Sequence, residues 1–110
     1  MTTTPTTTTF HPTLLDLLPQ TVEHGVPTQA LFSAPGGKVS LFRFDAGKGM
    51  AEHTSTHAVT LHVIEGSLTV RVEEERYELD RGAFLAVPAT LPHALEARTP
   101  ALVLLTLLTS

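Results

Sequence analysis

The stretch GKGMAEHTSTHAVTLHVIEG, residues 47–66, gathers three of the chain's six histidines, His53, His57 and His62, into one short segment. Its second half, residues 58–64, mixes β-branched and aliphatic residues and stops at Glu65-Gly66, the pattern of a strand entering a tight turn. Its first half reads as a loop that delivers His53 to that strand. Side chains alternate along extended backbone, so His53, Ser55, His57 and Val59 would share one face, with Thr60, His62 and Ile64 on the other.

The same pattern extends outward. From Thr28 onward, short runs of β-branched, aliphatic and aromatic residues are punctuated by turn formers, as in an all-β domain. The expected strands are residues 29–33, 38–45, 58–65, 67–73, 76–79, 83–87, 93–97 and 101–106. Pro35-Gly36-Gly37 reads as a turn, and Glu73-Glu74-Glu75 as a solvated hairpin tip. In the run 38–45, Val39, Leu41 and Arg43 fall on one face and Phe42 and Phe44 on the other. Both faces are thus apolar, which calls for a cover on the outside as well. Ahead of the strands, residues 1–12 are threonine and proline with little to bury and are expected to form a mobile arm, leaving 13–110 as one domain. Thr13 is placed to cap a short helix through Leu14, Leu15, Leu17 and Leu18, which Pro19 would end.

Two stretches resemble the motifs of the cupin family. The first motif's frame is met by Gly47, His53 and the closing Glu65-Gly66, and the second's by Gly82, Pro88 and His93 in RGAFLAVPATLPH, residues 81–93. The resemblance covers roughly residues 39–108 and implies a cupin-type jelly roll, a double-stranded β-helix barrel. In such a barrel the His53 face would point inward and His62 outward. It also implies a small molecule in the barrel cavity and pairing into a homodimer. Metal-binding members use two histidines and a glutamate of the first motif plus the histidine of the second. Here Ser55 stands at the second histidine position and Val59 at the glutamate position, with Thr90 and Ala97 at two further motif positions.

Composition narrows the partners. At 110 residues the chain is one domain's worth. A net charge of -4 without a basic cluster argues against nucleic acid or an anionic membrane surface. The chain has no cysteine, so no disulfide framework forms. The start lacks the basic and apolar regions of a signal peptide, and the apolar run ALVLLTLL, residues 101–108, is too short for a membrane span and reads as a buried last strand. The cytoplasm is the expected address. No nucleophile elbow, phosphate loop or dinucleotide fingerprint occurs.

The histidines carry the remaining chemistry. His11 and His24 lie in segments that read as arm or loop. Across a straight strand the α-carbons of His53 and His57 would stand about 13 Å apart, and each imidazole nitrogen reaches only about 6 Å, so a chelate needs residues 54–56 to bend. Pro88 and Pro92 flank a turn that would set His93 at the start of the next strand. Two functions follow from this inventory. In one, the domain binds a small molecule, with His53, His57 and His93 as polar contacts. In the other, those three histidines hold a divalent zinc, iron, manganese or nickel ion in an oxygenase or isomerase. A third reading makes the domain an assembly element alone.

Overall fold

In the computed structural model, which describes residues 4–19 and 26–109, the alternating pattern becomes nine strands. They are β1 (Thr28–Ala34), β2 (Gly37–Phe44), β3 (Gly49–His53), β4 (Ala58–Glu65), β5 (Leu68–Val72), β6 (Glu75–Leu79), β7 (Phe84–Val87), β8 (His93–Ala97) and β9 (Ala101–Leu108). One sheet has the order β1-β2-β9-β4-β7 and the other β3-β8-β5-β6, every pairing antiparallel. The all-β jelly roll expected from the sequence is therefore what forms, as two facing sheets. Among the described residues no helix is long and apolar enough to cross a membrane.

Alternation builds the core. Val59, Leu61 and Val63 of β4, with Phe44, Val87, Ala101 and Val103, meet Leu68, Val70, Val72, Leu79, Leu95 and Ala97 of the opposing sheet in one buried cluster. Each fully buried aliphatic side chain contributes about 1.5–3 kcal/mol relative to exposure. His62, between Leu61 and Val63, faces outward beside Phe84 and Leu104 in the register, as parity requires.

Two local expectations are corrected. The residues ahead of β4 are not simply a loop: Gly49–His53 forms edge strand β3, pairing Gly49 with Glu96, Met50 with Leu95 and, after a register shift, His53 with His93. Its partner lies far along the chain, so local sequence gave no sign of it. The expected helix at Leu14–Leu18 is only a turn, closed by the Leu17 amide donating to the Leu14 carbonyl at 3.3 Å. Prolines at positions 12 and 19 leave too few residues for the costly first helical turn to propagate.

That turn nevertheless has a task. Leu18 is buried with Leu41 and Leu102 on the outer side of the five-stranded sheet, with Leu14 and Leu17 packed against them. The chain itself thus covers the outer face of β2 at Leu41. Arg43, on the same face and 8% exposed, donates from Nη2 to the Leu15 carbonyl at 2.7 Å and fastens the turn down. Its Nε is buried without a hydrogen-bond partner among the described residues. His24 lies outside the described residues.

The other sheet turns a charged face to water. Arg71 pairs with Glu52 at 2.8 Å, Arg76 with Glu78 at 2.8 Å, and Arg98 with Glu78 and Asp80 at 3.0 Å each. Hydrogen bonds from Arg76 and then Thr69 hold the Glu78 carboxyl below its ordinary value, and those from Ser67 and then Arg98 do so for Asp80. Folded values lowered in this way add stability above the ordinary carboxylate range, and it is lost as pH falls through the lowered values. Solvent screening keeps that contribution small.

The turn after β4 depends on a missing side chain. Gly66 has φ +82, and a Cβ there would stand 2.1 Å from the Pro100 carbonyl oxygen and 2.7 Å from the Ala101 α-carbon. Gly82 has φ +89 but open space around it. Gly82→Ala is expected to cost about 1–2 kcal/mol for backbone conformation alone. Gly66→Ala should cost about 3 kcal/mol or more, because two strands must also separate. Denaturant midpoints of the two variants check this, and equal losses would contradict it.

Candidate functional site

The site lies at the end of the sandwich where β3 finishes and β8 begins. The turn between Pro88 and Pro92 places Thr90 at φ 71 and directs its amide to the Ser55 carbonyl at 2.8 Å. The Glu73 amide donates to the Pro92 carbonyl at 2.8 Å. These bonds gather the ends of β3, β5, β7 and the start of β4 around the first residue of β8, His93.

His93 is in register with Val72 on one side and His53 on the other, so all three share the inner face. It is 4% exposed, whereas His53, on the edge strand, is open to solvent. The two rings meet edge to face, with centroids 4.4 Å apart and an interplanar angle of 60°. The same local device orients both: His53 Nδ1 lies 2.9 Å from the Ala51 carbonyl, and His93 Nδ1 lies 2.9 Å from the Leu91 carbonyl. A carbonyl only accepts, so each Nδ1 carries the hydrogen, and in the neutral ring Nε2 presents a lone pair.

The surroundings are apolar. Val59, Val72 and Val87 are buried at this end, with Leu91 and Leu107 packed against the same core. Among the described residues the only buried polar or charged side chains are Ser40, Arg43 and His93. Arg43 belongs to the outer face. Ser40 pairs with Leu105 and shares the inner face of β2 with Phe42 and Phe44, so it faces the histidine-bearing sheet. Sequence reasoning passed over Ser40, although its parity with the two phenylalanines was the available signal.

Of the three expected ligands, the structure brings together His53 and His93. Among the described residues no group of three or more His, Cys, Asp or Glu side chains converges, so His57 does not complete a trio with them. Residues 54–57 leave the strand, which breaks the assumed alternation, and the His57 amide donates to Ser55 Oγ at 3.2 Å. Ser55 is thus engaged in the loop through both its hydroxyl and its carbonyl. Val59 is buried in the core, at the glutamate position of metal-binding relatives. Two imidazoles fall short of the three protein ligands that a resident divalent ion ordinarily takes, so the donors present do not fit one.

The sequence profile described as Cupin domain matches residues 40–107, from β2 almost to the end of β9. No curated protein matches the chain. Among solved structures, KdgF from Halomonas sp. superposes with a TM-score of 0.75 at 25% identity, over 83% of this chain and 86% of that one. A cupin superfamily protein from Desulfitobacterium hafniense gives a TM-score of 0.75 at 22% identity, over 82% and 83%. Salicylate 1,2-dioxygenase from Pseudoaminobacter salicylatoxidans gives 0.71 at 23% identity, over 81% of this chain and 26% of that much longer one. The last two likenesses concern the fold alone.

Burial separates the roles of the two histidines. Removing His93 leaves a small cavity and the Leu91 carbonyl without its donor, so His93→Ala should cost about 2–4 kcal/mol. His53→Ala, at an exposed edge position, should stay within about 0.5 kcal/mol. Urea unfolding of both variants checks the ranking, which similar losses would reverse.

Proposed function

The chain belongs to the cupin family, and on that premise we propose that it binds a small molecule at the mouth between its two sheets, with His53 and His93 as the polar contacts. The observation that carries this reading is the pair itself: two imidazoles in contact, each held by a backbone carbonyl, above a wall of valine and leucine. Sites for small molecules combine such an apolar lining with few, well-oriented polar groups.

One observation favours a metal-dependent oxygenase or isomerase as a second reading. Imidazoles that ligate a metal through Nε2 ordinarily donate Nδ1–H to a carbonyl or carboxylate, and both rings do so here. The short donor set weighs against it unless His57 joins the pair. Zinc titrated into chelator-treated protein, and into His57→Ala and His93→Ala variants, separates the two readings. The expected result is binding too weak to survive gel filtration. A retained ion lost in both variants would establish the three-histidine site instead.

The partner proposed is a second copy of the chain, making a homodimer. Phe10 is 79% exposed and Phe84 65%, and Leu15 and Phe32 are also exposed. These residues lie on or beside the outer side of the five-stranded sheet. Phe10, Leu14, Leu31, Phe32 and Val39 line a groove of 640 Å³ there. Apolar surface of this kind favours association. Light scattering at micromolar concentration should give twice the chain mass, and Phe32→Ser should lower it. A monomeric wild type would count against the dimer.

A further inference from the structure

We infer that the molecule taken at the His53–His93 mouth is a neutral, hydroxyl-bearing hydrophobe, best represented by a phenol; this rests on the mouth being the binding site. The argument begins with hydrogen bookkeeping. Each Nδ1 is committed to a carbonyl 2.9 Å away, so both neutral rings present an acceptor, not a donor, at Nε2. A pair of acceptors is answered by O–H or N–H hydrogens on the ligand.

Charge narrows the class. No buried carboxylate is present among the described residues to receive a cation, and Val59 occupies the position where the family places its glutamate. The one buried guanidinium, Arg43, is on the opposite side of its sheet, bound to the Leu15 carbonyl. Arg71 points outward, paired with Glu52. Glu75 stands in the register row of His53, His93 and Val72, exposed at the rim, where its sign opposes an anion. An anion there would lose hydration and meet Glu75 with no buried counter-charge, while a cation would find only that exposed, water-screened carboxylate. The valines and leucines packed in the core at this end suit an apolar body. Among hydroxyl groups a phenol's is the more acidic and so the better donor to an imidazole nitrogen.

The test uses the full chain with its histidines labelled with nitrogen-15, at pH 8, above the ordinary histidine range. Three probes share one apolar body: para-ethylphenol, para-ethylanisole, which lacks the hydroxyl hydrogen, and the para-ethylbenzoate anion. The phenol has one hydrogen to donate, so it should shift the Nε2 resonance of the solvent-open His53 and bind about tenfold more tightly than the anisole, the worth of one hydrogen bond. The benzoate should leave that resonance in place. The exposed position of His53 lets His53→Leu keep the fold, and that variant should lose most of the preference for phenol over anisole. Equal binding of phenol and anisole, a preference for benzoate, or an undiminished preference in His53→Leu would overturn the hydroxyl assignment while the mouth remains the site. If no probe moves either histidine's Nε2 resonance, the assignment and the site fall together.

Discussion

Strand β9 has no polar face, and its first half, Ala101 to Val103, is buried on both sides. Ala101 and Val103 look into the core, while Leu102 packs outward against Leu18 and Leu41. A strand buried on both sides cannot sit at an edge without exposing one of them, and β9 lies at the centre of its sheet, between β2 and β4. Its inner face requires the second sheet. Its outer face requires the N-terminal turn, which explains why a segment without regular structure contributes a core leucine.

How much of this was legible depended on how local each cause was. Gly36 and Gly66 each hold a positive φ, so the turns they make were readable from the residues themselves. The alternation in β4, β5 and β8 was readable because each strand carries its own pattern. Strand β3 was not, because MAE in residues 50–52 has no strand signature of its own and is held by pairing with β8, more than forty residues further on. The leucine turn was misread for the complementary reason: its spacing satisfied helix rules, but the prolines around it and the sheet beneath it decided the outcome.

The same distinction runs through the site. The glycines and Pro88 that frame the two motifs answer to backbone geometry, and the fold needs them whatever the site does. Ser55 and Val59 answer to the loop and the core instead, and both are well accommodated there: Ser55 receives the His57 and Thr90 amides, and Val59 is buried among aliphatic neighbours. Sequence placed His53 and His93 together because their motif positions survive. It placed His57 with them only if residues 54–56 bend, and although residues 54–57 do leave the strand, no three such side chains converge among the described residues. What stands at this end of the sandwich is two imidazoles in contact beside aliphatic side chains.

The central position of β9 also governs when the molecule acquires its shape. Strand β9 separates β2 from β4, so the five-stranded sheet cannot close until residues 101–108 are available. On the ribosome, β2 and β4 therefore wait for their shared partner until residues 101–108 have emerged. Folding becomes one concerted event whose rate is set by closing long loops, and a chain halted before residue 101 is an aggregation hazard, not a nearly complete domain.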